Sequence, residues 1–151
     1  MLFRSCGMVG GQAIDLRAAA PGAVPLTAEA LRDMHARKTG ALIRASVTAG
    51  AAMAGADRET ALSLSGYGDQ IGLAFQIVDD ILDVEGASPD LGKTAGKDAA
   101  AGKPTYVAVY GLDGSRQLAA ECLARALDVL SSARLGGQLP GLARWVVGRT
   151  T

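Results

Sequence analysis

Aromatic residues are scarce in this chain, at 4% of its length, and β-branched alternation is equally hard to find. That argues against a β-sandwich or barrel, whose strands draw on aromatic and branched side chains. Net charge is absent as well: fifteen acidic residues balance fifteen basic ones, so no global positive field exists to hold nucleic acid or an anionic membrane. Only two cysteines occur, Cys6 and Cys122, with no CxxC pair and no Cys/His cluster. A disulfide framework and a structural zinc site are therefore not indicated, and reduced thiols in a cytoplasm are the simplest expectation. No uninterrupted apolar run reaches the roughly 18 residues that a membrane-spanning helix needs, and the start of the chain lacks the basic-then-apolar pattern of a signal peptide. A cytoplasmic, untargeted protein with no membrane insertion is expected.

What the chain has instead is alanine, glycine and helical periodicity. Its 151 residues suffice for one domain with a core. The pattern predicts helices over residues 2–18, from a cap at Thr27 to about 54, from a cap at Asp57 to about 84, from Pro104 to Tyr110, from Asp113 to about 133, and from Pro140 to about 147. The loop 19–26 carries the breakers Pro21, Gly22 and Pro25. The stretch 85–103, "EGASPDLGKTAGKDAAAGK", is rich in glycine and longer than ordinary connections, and loops of that length are usually functional or disordered. An all-α fold follows.

The segment "FQIVDDILD", residues 75–83, concentrates three carboxylates in an apolar stretch, with no Lys or Arg between Arg58 and Lys93. At about 100° per residue, placing Gln76 at zero puts Asp79 near 300°, Asp80 near 40° and Asp83 near 340°, all on one side. Tyr67, Ile71, Ala74, Phe75, Val78, Ile81 and Leu82 fall opposite. A solvated face would explain carboxylates on an amphipathic helix. However, Asp is a poor mid-helix residue, and a solvated face usually interleaves Glu with Lys at pairing distances. Clustered like charges call for a cation. Mg²⁺ suits them, since it takes one or two carboxylates, keeps several waters and completes its shell with phosphate oxygens; an EF-hand loop is absent.

A metal-bound phosphate needs cationic partners as well. Lys93, Lys97 and Lys103 lie in the Gly-rich stretch, and Lys38 with Thr39 lies in "RKTGAL" upstream. "GMVGGQ" matches neither the Walker nor the Rossmann glycine spacing, so a diphosphate would be held by metal and lysines rather than by a glycine cradle. Ordinary surface lysines remain the plainer account of each basic residue taken singly. His35, the lone histidine, is expected as a surface or capping residue, and Trp145 with Val146 and Val147 as core.

Taken in order, "GMVGGQAIDL", "HARKTGALI", "GLAFQIVDDILD" and "LGKTAGKDAAAGKPTY" resemble the C-terminal half of short-chain trans-isoprenyl diphosphate synthases of the farnesyl/geranyl diphosphate synthase type, in the polyprenyl synthetase family. The resemblance covers nearly the whole chain. It implies the isoprenoid synthase fold, a helical bundle of which this would be the C-terminal half. It also implies a homodimer, and Mg²⁺-assisted condensation of an allylic diphosphate with isopentenyl diphosphate. By position, Asp79, Asp80 and Asp83 would hold the metal, Lys38 and Lys93 the allylic diphosphate, Thr39 and Gln76 the cation region, and Lys103 the mouth. Gln12 and Asp15 would face the pocket. Lys38, Thr39 and Gln76 are the residues assigned to catalysis. The family's first aspartate-rich motif, the arginines behind it and its isopentenyl diphosphate site have no counterpart here, so a truncated chain, inactive alone and pairing with a missing N-terminal half, is expected. The alternative is a non-catalytic helical partner or regulatory subunit of a full-length synthase; a terpene cyclase relative fits the "KTG" and "GKPTY" signals less well.

Overall fold

The computed structural model describes residues 7–85 and 104–150. Within them the chain forms α1 (Met8–Ala18), α2 (Ala28–His35), a π-helical segment (Ala36–Gly40), α3 (Ala41–Met53), α4 (Arg58–Glu85), α5 (Tyr106–Ser132) and α6 (Leu139–Gly148), with no strand among the described residues. Lys93, Lys97, Lys103, Cys6 and the expected loop 85–103, apart from Glu85, lie outside them.

The helix starts follow local chemistry. Thr27 accepts the Ala30 N–H at 3.2 Å and Asp57 accepts the Thr60 N–H at 2.8 Å, each satisfying a first-turn donor that the helix itself leaves unpaired. Pro140 occupies the first turn of α6, where its missing N–H costs nothing. Pro104 does not serve this way. Thr105 is the cap of α5, accepting the Ala108 N–H at 3.1 Å, and Pro104 stands just before it. The two helices expected over 104–110 and 113–133 form one run, kinked at Gly111, whose φ of 71° is the left-handed conformation that glycine adopts without a Cβ penalty. The helix expected from Thr27 to 54 is likewise continuous, but it changes character over Ala36–Gly40, where one extra residue is accommodated in the turn.

α4 is the central element. α5 and α3 flank it, and α6 closes one end. Its buried Tyr67, Ile71, Ala74, Ile77, Val78 and Ile81 meet Ala119, Cys122, Ala126 and Leu130 of α5, Ala143 and Val146 of α6, and Leu31 and Met34 of α2. Tyr67 donates its hydroxyl to the Leu139 carbonyl at 2.8 Å, pinning the start of α6 to this core. The Cys122 thiol is buried, and burial pushes its pKa up, which makes it an inert core group. Trp145 corrects an expectation: it is 62% exposed, while Val146 beside it is buried and Val147 packs against the core. Only one strip of the short α6 faces α4 and α5, and Trp145, about 100° from Val146, falls off it.

Glycines set how closely the helices cross. A Cβ on Gly11 would lie 2.4 Å from the Lys38 backbone nitrogen, and one on Gly72 would lie 2.7 Å from the Gly40 Cα. Backbone therefore packs on backbone where α1 and α4 meet the π-helical segment, and Lys38 and Thr39 are held there between two helices.

Candidate functional site

The basic and acidic parts of the sequence come together through that crossing. Lys38 Nζ donates to Asp15 Oδ2 at 2.6 Å. Asp15 is buried at the heart of α1, so its charge is compensated by the half-buried lysine, which in turn is fixed rather than free to roam. Thr39 Oγ1 donates to Gln76 Oε1 at 3.0 Å, tying the π-helical segment to α4 one turn before Asp79 and Asp80. π-helical insertions frequently mark functional sites, and nothing in the local residue pattern announced this one. Gln12 lies one turn from Asp15 on α1 and is half-buried.

The three carboxylates have three environments. Asp80 is buried, and its Oδ2 accepts the Tyr106 N–H at 2.7 Å, so it anchors the first turn of α5. Asp79 is more than half exposed, and its Oδ1 lies 3.4 Å from Arg149 Nη2. Asp83 is half-buried one turn further on. The acidic side of α4 is thus not one solvated face, since Gln76 and Asp80 are enclosed by the neighbouring helices. Among the described residues, no three His, Cys, Asp or Glu side chains are gathered closely enough to enclose a metal ion. Mg²⁺ does not require that. Exposed Asp79 and half-buried Asp83, four residues apart on one strip, supply the one or two hard oxygen ligands it takes beside water and phosphate, so the donor set fits.

His35 is 4% exposed, not the surface or capping residue its neighbourhood in the sequence suggested. It ends α2 where the π-helical segment begins, on the side facing α5, and its ring lies 5.4 Å from that of Tyr106. Burial holds its pKa down at about 4, with the Lys38 charge adding to the effect and Gln76 and Asp15 opposing it. Gln76 is close enough to His35 to favour its protonated form, but among the described residues neither ring nitrogen has a partner at full hydrogen-bond geometry, and the buried Tyr106 hydroxyl also lacks one. Burial first, then the Asp80 charge, pushes the Tyr106 hydroxyl's pKa upward. His35 and Tyr106 therefore form a neutral layer behind Lys38, Gln76 and Asp80.

The described chain is thus a helical bundle in which a Lys-Thr-Gly segment crosses an aspartate-rich helix, as the resemblance of its motifs to the isoprenyl diphosphate synthases implied. A profile described as polyprenyl synthetase matches residues 4–132, and the chain belongs to that family. It is 48% identical over 129 residues to the farnesyl diphosphate synthase of Escherichia coli, covering 85% of this chain and 40% of that protein. It is 49% identical over 113 residues to a chloroplastic geranylfarnesyl diphosphate synthase of Leucosceptrum canum, covering 75% and 31%. Among solved structures, an FPP/GFPP synthase from Zymomonas mobilis superposes with a TM-score of 0.75 at 34% identity, over 94% of this chain and 46% of that one. The Helicobacter pylori geranyltransferase complexed with magnesium and isoprenyl diphosphate gives 0.74 at 31%, over 93% and 45%. The chain spans less than half the length of each of these relatives.

Proposed function

We propose that this chain supplies the metal-and-lysine wall of a trans-prenyltransferase that condenses an allylic diphosphate with isopentenyl diphosphate in isoprenoid biosynthesis. The observation that carries the reading is the Thr39–Gln76 hydrogen bond, which sets the Lys-Thr-Gly segment against the aspartate-rich helix within one turn of Asp79. In this reading Asp79, Asp80 and Asp83 hold the Mg²⁺, with Asp80 restrained by Tyr106 so that Asp79 and Asp83 do most of the direct ligation. Mg²⁺, when bound, draws negative charge from the departing diphosphate and so assists ionisation. Lys38, oriented by Asp15, would offer its remaining ammonium hydrogens to the diphosphate, and Lys93 and Lys103 would add positive charge. Fixed charges stabilise developing charge more than mobile ones, because no reorganisation is needed during the reaction. Thr39 and Gln76 present an oxygen-lined surface to the allylic cation, and Gln12 and Asp15 complete the pocket wall.

The reaction needs a complementary wall with a second metal-binding motif and an acceptor site, which a second chain or segment would contribute, in a homodimer or as a paired half. A cytoplasmic location goes with this reading. The membrane is no obstacle, since no described helix is long and apolar enough to cross one. Calorimetry is the direct test. Mg²⁺ should bind weakly alone and more tightly with inorganic diphosphate, and equal affinity in both conditions would return the acidic helix to a solvated face. Condensation of dimethylallyl with isopentenyl diphosphate should be undetectable for the chain alone, since single donors in such sites are each worth about 10²-fold or more. It should recover when an N-terminal half of a relative is supplied. Robust turnover by the chain alone, absent in an Asp80→Ala control, would refute the need for a second wall.

A further inference from the structure

We propose that Arg149 is a further residue of the acidic site, an internal counter-cation that occupies the Asp79 flank of α4 and is displaced from it when a divalent cation enters. The inference rests on the reading of Asp79 as a metal ligand. Arg149 follows the last residue of α6 in an extended conformation and reaches back across the helix interface. Its Nη2 donates to the Phe75 carbonyl at 2.9 Å and lies 3.4 Å from Asp79 Oδ1, and its guanidinium stands 4.0 Å from the centre of the Phe75 ring. Its side chain is only 11% exposed, against 57% for Asp79.

The quality of these contacts suits a cation that is parked rather than locked. A guanidinium carries five donors and pairs best with a carboxylate through two parallel bonds. Among the described residues one nitrogen serves both the carbonyl and the carboxylate, the carboxylate contact is long, and Nε is buried without a partner. Asp79 meanwhile remains open to solvent, so a hydrated cation can reach it without unfolding anything. Mg²⁺ prefers a hard carboxylate oxygen, whereas the weakly hydrated guanidinium is also held by the Phe75 ring. Two positive charges cannot share the Asp79 oxygens without repulsion. The entering ion therefore takes the carboxylate, and the segment after Gly148 loses one of its ties to α4. Because Arg149 caps α6 from just beyond its end, this release lets the last turn of α6 fray while the rest of the helix stays packed.

The test uses the whole chain and Mg²⁺ alone, so that no phosphate can bind the arginine and confuse the result. Arg149→Gln removes the charge while keeping a planar polar end, and Arg149→Lys keeps the charge. Titration calorimetry should show Mg²⁺ binding about two- to fivefold tighter for Arg149→Gln, the range expected from relieving one partly exposed charge contact. Arg149→Lys should behave like the wild type. In the wild type, hydrogen exchange over residues 146–150 should quicken when Mg²⁺ is added, and the lone Trp145 gives a second signal from the same helix. If Arg149→Gln binds Mg²⁺ no more tightly than the wild type, or if exchange over 146–150 does not respond while Mg²⁺ binds, Arg149 is only a staple for α6 and the inference is wrong. Should Arg149→Gln fail to fold, the exchange measurement on the wild type decides alone. Absence of binding in every variant, even with inorganic diphosphate added, would instead overturn the metal site itself and this inference with it.

Discussion

His35 gives the most quantitative expectation. Its pKa lies at about 4 in the folded chain against 6.5 for the free side chain, because burial and the Lys38 charge disfavour the imidazolium. The unfolded chain therefore binds a proton between those two values that the folded chain refuses. Stability should be unaffected by this group above about pH 7 and should fall as pH drops through 6.5 towards 4. At roughly 1.4 kcal/mol per pKa unit, the full loss is about 3 kcal/mol, of which about 2 kcal/mol has accrued by pH 5. Carboxylates also titrate at the acid end, so the effect is isolated by comparison with His35→Phe. That variant keeps an aromatic ring against Tyr106 and removes both the titration and two buried nitrogens that, among the described residues, have no partner at full hydrogen-bond geometry. Urea denaturation followed by circular dichroism at pH 7 and pH 5 gives four stabilities. The wild type should lose about 2 kcal/mol more than His35→Phe between the two pH values, and His35→Phe should be no less stable at pH 5. Equal pH dependence in both proteins would mean that His35 titrates normally and that the packing around it is looser than described.

Other substitutions separate packing from site chemistry. Gly11→Ala places a Cβ against the Lys38 backbone and should cost about 1–3 kcal/mol by forcing α1 away from the π-helical segment; a melting temperature equal to wild type would contradict that crossing. Asp79→Ala and Asp80→Ala should differ in kind. Removing exposed Asp79 should change stability by about 1 kcal/mol or less and abolish Mg²⁺-dependent diphosphate binding. Removing Asp80 leaves the buried Tyr106 N–H unpaired and should cost about 1–3 kcal/mol, so equal thermal stability for the two variants would refute the distinction drawn between them.

Much of this was legible along the chain because it depends on neighbours within a turn or two. Thr27 and Asp57 cap helices through bonds to residues three positions on, and the side of α4 that carries Gln76, Asp79, Asp80 and Asp83 follows from helical spacing alone. The pairings themselves were not legible: Lys38, Asp15, Thr39 and Gln76 were each expected in one pocket, but no spacing joins Lys38 to Asp15 or Thr39 to Gln76, and it is the fold that brings each pair within hydrogen-bonding distance. The rest was set by what packs on what. Spacing gives a residue's direction from its own axis but not which helix lies in that direction. Asp80 is buried because α5 begins on top of it, whereas Asp79 stays more than half exposed, with Arg149 from beyond α6 as its ion-pair partner among the described residues. His35 turns inward where α2 passes into the π-helical segment, and Trp145 turns outward because one strip of a short helix suffices to cover the core. Periodicity thus determined the helices and the residues they offer, while the crossings at Gly11, Gly40 and Gly72, where backbone meets backbone, decided which charges are enclosed and which face the solvent.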